Sequence, residues 1–193
     1  MKNTTFILLL SLVAACSPEP KEASEQSLEE SLAQDTMLLQ TVLDEKKARF
    51  NAKADSIKKQ VYAEGILAVV EAKVTENAIQ KGDKATNFTL TNATGEAVTL
   101  YDELKKGPVI LMWYRGGWCP YCNLTLKAMQ DMLPQFEAGG AQLMALTPEL
   151  PDKSISTAEK NALAFEVLTD NDNTVARDYG VVFKLTDDVK AYY

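Results

Sequence analysis

Two cysteines separated by two residues are the chemistry-bearing feature of this sequence. Cys119 and Cys122 enclose Pro120 and Tyr121, and they stand where an apolar run gives way to a helix pattern. At a helix start such a pair lies about one turn apart, close enough to form a disulfide and so to store two electrons. Unpaired backbone N–H groups and the helix dipole favour a thiolate there, the species that attacks a peroxide or a disulfide. The pair therefore predicts a redox centre.

Four neighbouring residues are candidates for supporting this centre. Pro120 suits the first helical turn, because its missing N–H would find no helical partner there. Arg115 is a candidate for adding positive potential near the thiolate, and a surface arginine without that role is the alternative. Trp118 and Tyr121 flank the cysteines and are predicted either to form an apolar contact face or to pack in the core.

Two other interpretations of the pair are weaker. A structural disulfide is compatible with an oxidising exterior, but closing so short a loop contributes little entropy. A zinc site is weaker still, because the chain has no histidine and its three cysteines are too few for a thiolate-only site if Cys16 is used elsewhere. The missing histidine also excludes Ser-His-Asp and Cys-His hydrolases. Residues 170–173 (Asp-Asn-Asp-Asn) lack the spacing of a calcium loop and predict a turn and helix cap. No metal and no bound cofactor is predicted.

The first residues are typical of an export signal. The apolar run of residues 6–15 is shorter than the roughly 18–20 residues needed to span a bilayer. Residues 13–16 (Val-Ala-Ala-Cys) resemble the bacterial lipobox, which implies removal of residues 1–15 and lipid attachment to Cys16. An ordinary signal peptide is the alternative. Ser17 in the next position implies anchoring in the outer membrane, facing the periplasm.

Length and composition predict one globular domain behind an N-terminal extension. The chain has 193 residues, of which 46% are hydrophobic, and a formal charge of −7 that argues against a nucleic-acid partner. An acidic tether is expected over residues 16–34 and a helical extension over 35–80. Its apolar stripe predicts one helix from about 32 to 64, stopped by Gly65. That stripe fits packing against the domain or a dimerising coiled coil, so the oligomeric state stays open.

Strand and helix patterns alternate through the rest of the chain, residues 81–193, which indicates α/β architecture with a mostly parallel sheet. The run 109–114 is apolar throughout and predicts the central strand, buried on both faces. The expected elements are a hairpin with strands at 88–90 and 97–100, the central strand, a helix from the cysteines to Gly139, a strand at 142–147, a helix opened by a capping box at 156–159, a strand at 165–168, a helix at 174–179 and a last helix after Thr186.

Residues 82–88, the hairpin, and the string 113–123 (Trp-Tyr-Arg-Gly-Gly-Trp-Cys-Pro-Tyr-Cys-Asn) together resemble the peroxiredoxin-like group of the AhpC/TSA superfamily. The likeness covers residues from about 40 to 193. It implies a thioredoxin-like mixed sheet flanked by helices, and a thiol peroxidase that reduces hydrogen peroxide and organic hydroperoxides. A thioredoxin-like reductant would recycle the pair, since the chain shows no flavin or nicotinamide motif.

The resemblance departs from the family at the helper positions. In peroxiredoxins the peroxidatic cysteine follows a threonine by three positions and a proline by seven; placed on Cys122, these positions hold Cys119 and Arg115. The resemblance thus implies that Cys122 reacts with peroxide and Cys119 resolves, whereas thioredoxin logic makes Cys119 the attacker. An envelope thiol-disulfide oxidoreductase and an inactive structural lipoprotein are the alternative functions. Because the family usually continues further, the domain is expected to be incomplete at Tyr193.

Overall fold

The computed structural model describes residues 38–192, so the expected signal peptide, Cys16 and the tether lie outside the described residues. Helices and strands alternate from residue 81 onward, as predicted. The elements in chain order are α1 (residues 38–53), α2 (Ser56–Glu71), α3 (Val74–Asn77), β1 (Thr89–Asn92), β2 (Ala97–Thr99), α4 (Leu100–Glu103), β3 (Val109–Trp113), α5 (Pro120–Ala138), β4 (Gln142–Thr147), α6 (Pro151–Asn161), β5 (Glu166–Thr169), α7 (Thr174–Asp178) and α8 (Asp187–Lys190).

The five strands of the described chain form one mixed sheet in the order β2-β1-β5-β4-β3. Strands β3, β4 and β5 run parallel, and β1 pairs antiparallel with both β2 and β5. Each parallel step crosses through a helix, α5 or α6, as such connections require. The expected α/β fold with a helix-flanked mixed sheet is confirmed.

The core lies on both faces of the sheet because successive strand residues point to opposite sides. In β4, Leu143 and Ala145 pack towards Leu126 and Leu133 of α5, while Met144 and Leu146 face the opposite side. That second cluster is completed by residues from α4, α7 and the other strands: Phe88, Leu100, Leu168, Val175 and Tyr179. The sheet is therefore a rigid layer between helices, and α5 is fixed to it along one face.

The prediction that residues 109–114 form the central strand is wrong. Strand β3 lies at the edge of the described sheet, pairs there only with β4, and has half-buried residues throughout. The apolar run of β3 is explained by packing on both faces, since Leu111 and Trp113 pack in one core cluster and Ile110 and Met112 in the other. Coverage of both faces produces such a run whether or not a strand has two neighbours.

The continuous helix predicted over 32–64 is also wrong. The helix is interrupted before Asp55, whose carboxylate accepts a hydrogen bond from the Lys58 N–H and caps the start of α2. Gly65 does not stop that helix: it allows close packing, because a Cβ atom there would lie 2.5 Å from Cγ2 of Val189 in α8. Within residues 38–192, no helix has both the length and the apolar character to cross a membrane.

Helix α6 starts earlier than the capping box at 156–159 predicts. It begins at Pro151, which is preset for the first helical turn, and Ser156 lies inside it with its hydroxyl donating to the Asp152 carbonyl. The turn and cap predicted at residues 170–173 are confirmed, since the buried Asp170 carboxylate accepts from backbone N–H groups in the first turn of α7.

Candidate active site

The redox motif lies at the first turn of α5, where the sequence places it. Cys119 is the residue that caps the helix: its sulfur accepts a hydrogen bond from the Cys122 N–H at 3.3 Å, and Pro120 occupies the first turn. A helix N-terminus supplies unpaired donors and the positive end of the dipole. The cap sulfur is therefore in the position where a negative charge is best stabilised.

The pKa values of the two thiols are shifted in opposite directions. A hydrogen bond from the Cys122 thiol is the largest cause that lowers the pKa of Cys119, to about 5, with further lowering by the Cys122 N–H and by Arg115; burial opposes them. The same thiol contact and burial raise the pKa of Cys122 above its ordinary value. The donors that converge on the Cys119 sulfur therefore favour the thiolate on Cys119 and the thiol on Cys122.

Arg115 acts on the thiolate directly. Its Nη2 lies 3.2 Å from the Cys119 sulfur, and its guanidinium carbon lies 5.1 Å from the centroid of the Trp118 ring. The planar guanidinium is thus held between a sulfur and an aromatic face, a geometry that lysine could not reproduce. This contact contradicts the alternative of a surface arginine with no role at the pair.

A cavity of about 220 Å³ lies beside the motif, between the end of β3 and the first turn of α5. Both cysteines, Arg115, Tyr114 and Met112 contribute to its lining. Cys119 has no exposed surface, whereas Cys122 is half-buried. A small molecule in this cavity would lie beside the cysteine pair and Arg115.

The aromatic residues of the motif form an exposed surface. Trp118 is 51% exposed and Tyr121 is 38% exposed, which agrees with the contact-face interpretation and not with core packing. Tyr114, by contrast, is buried inside the domain, and burial raises its pKa to about 12. The hydroxyl of Tyr114 is therefore neutral beside the cysteine pair at physiological pH.

Three residues that the sequence analysis did not single out hold the motif in place. Oε2 of Glu149 accepts a hydrogen bond from the Gly117 N–H at 2.9 Å. Nδ2 of Asn123 donates to the Gly117 and Cys119 carbonyls at 2.7 and 3.0 Å, and Asn161 of α6 donates to Oδ1 of Asn123 at 3.0 Å. Both sides of the turn before the cysteines are thus tied to fixed elements.

The paired glycines allow this turn to approach its neighbours. Gly116 has a φ of +145°, a region that residues with side chains rarely adopt, and a Cβ there would meet the Trp118 ring and the Glu149 carboxylate. A Cβ on Gly117 would collide with the hydroxyl of Thr157 in α6. The two positions therefore need glycine for contact with Glu149 and α6.

Comparison with known proteins agrees with this arrangement. A model of the AhpC/TSA family matches residues 81–191. The chain belongs to the AhpC/TSA family. Peroxiredoxin Bcp of Escherichia coli strain K12 is 29% identical over 105 residues, which cover 54% of this chain and 67% of that protein. The resemblance to the AhpC/TSA superfamily is thereby confirmed.

Two further similarities of this AhpC/TSA protein are to a disulfide oxidoreductase and to a peroxidoxin of known structure. Thiol-disulfide oxidoreductase ResA of Bacillus thuringiensis is 28% identical over 108 residues, which cover 55% of this chain and 61% of that protein. The crystal structure of peroxidoxin BcpB from Mycobacterium tuberculosis has a TM-score of 0.53 and 27% identity, covering 55% of this chain and 70% of that one. The helical residues 38–80 precede the segment that the family model matches.

Removing the Cys122 donor should raise the pKa of Cys119. In a Cys16→Ser background we expect Cys122→Ala to shift it up from about 5, and Arg115→Met to shift it up by less, following the order of the two causes. Thiolate absorbance followed against pH measures the midpoint, above which the thiolate is present. Thr125→Val, also beside the cavity, should leave it unchanged. An unaltered midpoint in Cys122→Ala would contradict the shared hydrogen bond.

The Glu149 hydrogen bond should be measurable at the thiol. Glu149→Gln and Glu149→Ala both remove the negative charge, but only alanine removes the acceptor for the Gly117 N–H. Because a released turn lets Arg115 leave the sulfur, we expect the pKa of Cys119 to be higher in the alanine variant, by roughly half a unit to one unit. Equal pKa values in two folded variants would show that the hydrogen bond does not position the turn.

Proposed function

We propose that this protein is a thiol-dependent peroxidase that reduces hydrogen peroxide and organic hydroperoxides through the Cys119–Cys122 pair. The observation that carries the proposal is a cysteine pair at a helix start that lines one small cavity together with Arg115, whose guanidinium and the Cys122 N–H both donate to the Cys119 sulfur. Membership of the AhpC/TSA family and the similarity to peroxiredoxin Bcp support it. At the coarser level, these similarities and that to ResA make the chain a thiol-based oxidoreductase.

The first step is oxidation of one thiolate by the peroxide. The sulfur attacks one peroxide oxygen, an S–O bond forms as the O–O bond breaks, and the departing oxygen takes a proton and leaves as water or an alcohol. The sulfur is oxidised to a sulfenic acid and the peroxide is reduced by the same two electrons. Arg115, a cation beside the sulfur, favours the thiolate that reacts and the negative charge that develops on the departing oxygen.

The second step joins the two cysteines. The remaining thiol attacks the sulfenic sulfur, an S–S bond forms, and the sulfenic oxygen leaves as water with the thiol proton. The N–H of Cys122 donates to the Cys119 sulfur at 3.3 Å, so the two cysteines share the first turn of α5, a spacing that a disulfide can close. A thioredoxin-like dithiol then reduces the disulfide by two exchange steps and becomes oxidised itself.

We assign the first attack to Cys119 within this proposal. The family resemblance favours Cys122, whose half-exposed position also suits an attacking group. The attacking species is the thiolate, however, and the hydrogen bonds from Arg115 and from the Cys122 N–H to the Cys119 sulfur support a thiolate on Cys119. Cys119 lines the cavity but has no exposed surface, so in this assignment the cavity lining has to open slightly to admit a peroxide to its sulfur.

A thiol-disulfide oxidoreductase of the cell envelope is the second candidate. The low pKa of Cys119 at the helix cap suits attack on a disulfide as well as on a peroxide, and the similarity to ResA supports it. Trp118 and Tyr121 would then provide the exposed surface on which a protein substrate rests. This candidate differs from the first in needing a partner large enough to use that surface.

The peroxidase proposal is tested by stopped-flow oxidation of the reduced protein with hydrogen peroxide, following tryptophan fluorescence. We expect fast oxidation in wild type and in Cys122→Ser, and its loss in Cys119→Ser. The rate should hold from neutral pH down to about 5 and fall below it, because the Cys119 thiolate is protonated there.

The alternative outcomes of this experiment are equally informative. Fast reaction that survives in Cys119→Ser and vanishes in Cys122→Ser would establish the opposite assignment. If all three proteins react no faster than free cysteine, the peroxidase proposal is rejected. Rapid reduction of insulin disulfides by the same reduced protein would then support the second candidate.

We also propose that the protein is held at the outer membrane, facing the periplasm, by lipid on Cys16. The support is the lipobox-like sequence at residues 13–16 and Ser17 after it. Anchoring of this kind would place the redox domain at the end of the acidic tether, residues 16–34. The peroxides it meets would then be those that enter the envelope.

Lipid attachment predicts that Cys16→Ser blocks incorporation of labelled palmitate in a bacterial host with an outer membrane. The variant should leave the membrane fraction, because an uncleaved or unlipidated chain lacks the acyl anchor. Cys122→Ser is the matched control and should be labelled normally. Full membrane retention without label would contradict the anchor at Cys16.

A further inference from the structure

Helix α1 brings a charged residue from the N-terminal extension to the redox motif. Nζ of Lys46 lies 5.5 Å from the centroid of the Tyr121 ring, and Tyr121 stands between the two cysteines. This distance is within the range of a cation–π contact. The segment of AhpC/TSA sequence begins at residue 81, so Lys46 belongs to a part of the chain outside the family match.

Lys46 lies on the face of α1 that is turned towards the protein. The half-buried residues of this helix recur at spacings of three and four, while the residues between them are exposed. This face consists of Leu39, Val42, Leu43, Lys46 and Phe50. Its position beside Tyr121 is therefore part of a continuous helix face and not the chance orientation of one long side chain.

The other end of this face is fixed by aromatic contacts. The ring of Phe50 lies 5.2 Å from that of Tyr62 in α2, and Tyr62 lies 5.9 Å from Tyr192. Helix α2 in turn packs on α8 through Gly65. Helix α1 is thus attached at one end to the aromatic cluster and contacts the redox motif, towards its middle, through Lys46.

Small molecules and proteins approach the cysteine pair by different routes. A small molecule can approach the cysteine pair through the 220 Å³ cavity, whose lining does not include α1. A protein dithiol has to place its own sulfur against the motif and cover the surface around Trp118 and Tyr121. Lys46 holds α1 on the Tyr121 side of that surface.

We propose that Lys46 is a specificity-determining residue that selects among reductants of the Cys119–Cys122 disulfide. By keeping α1 against Tyr121 it slows reduction by protein dithiols and leaves reduction by small dithiols unaffected. The inference rests on the proposed function only in requiring that the pair cycles through a disulfide. The inference gives the N-terminal helical extension a role in the choice of reductant.

The test compares two reductants on the same oxidised protein. The disulfide is formed with diamide, and its reduction is followed with a bacterial thioredoxin and, separately, with dithiothreitol. For Lys46→Met we expect the thioredoxin rate to rise about two- to fivefold, the range set by losing one exposed cation–π contact, and the dithiothreitol rate to stay unchanged.

Two further variants separate the contact from general effects on α1. Arg49→Met removes a cation from the same helix, where Arg49 is exposed and pairs with Glu45, and should change neither rate. Lys46→Arg keeps a cation over the ring and should retain the wild-type rates. A thioredoxin rate that is unchanged or lower in Lys46→Met, or an equal change with both reductants, would overturn the proposal.

The outcome is independent of peroxide chemistry, because diamide forms the disulfide. If the wild-type disulfide is reduced and Lys46→Met behaves as described, the inference holds even where the protein fails to react with peroxide. If neither reductant opens the wild-type disulfide, recycling through this pair is rejected together with the role of Lys46. Normal recycling without any effect of Lys46→Met rejects the inference alone.

Discussion

The sulfur of Cys119 at the first turn of α5 accepts hydrogen bonds from the Cys122 N–H and from Arg115, and the neighbouring Cys122 thiol is the largest cause that lowers its pKa. Burial of that sulfur works against a negative charge, so the donors have to outweigh the loss of water. They do so because all of them converge on one atom at the positive end of a helix. The unequal acidity of the two cysteines, and with it the division of roles between them, depends on this convergence.

The rest of the domain explains why the donors stay in place. Strands β3 and β4 are parallel neighbours, so the chain leaves both at the same edge of the sheet and the two following loops meet there. One loop carries Arg115 and the glycines, and the other carries Glu149, which ties the Gly117 N–H. Asn123 and Asn161 connect the same turn to α5 and α6. The sheet thus determines the thiol chemistry through the position of a few polar side chains.

Features set by neighbours in sequence could be predicted. The helix start at Pro120, the hairpin of β1 and β2, and the bounds of β4 follow from local patterns, and the string around the cysteines indicates the family. Features set by distant contacts could not. The apolar run of β3 indicates that both faces of the strand are covered, but it does not indicate how many strands pair with it. The role of Gly65 depends on its contact with Val189 in α8. Glu149 and Asn161 gain their roles only when the loops and helices meet, although a carboxylate directly after a parallel strand was a usable signal.

The half-buried position of Cys122 one turn from a fully buried Cys119 has a consequence for the lifetime of the oxidised sulfur. A sulfenic acid has two fates, condensation with a thiol or further oxidation to a sulfinic acid that ordinary thiols do not reverse. Here the condensing thiol is on Cys122, whose N–H already donates to the Cys119 sulfur, so both residues share the first turn of α5. A second oxidant molecule must instead enter the cavity afresh. In the proposed peroxidase cycle this arrangement favours condensation over irreversible oxidation of the sulfur.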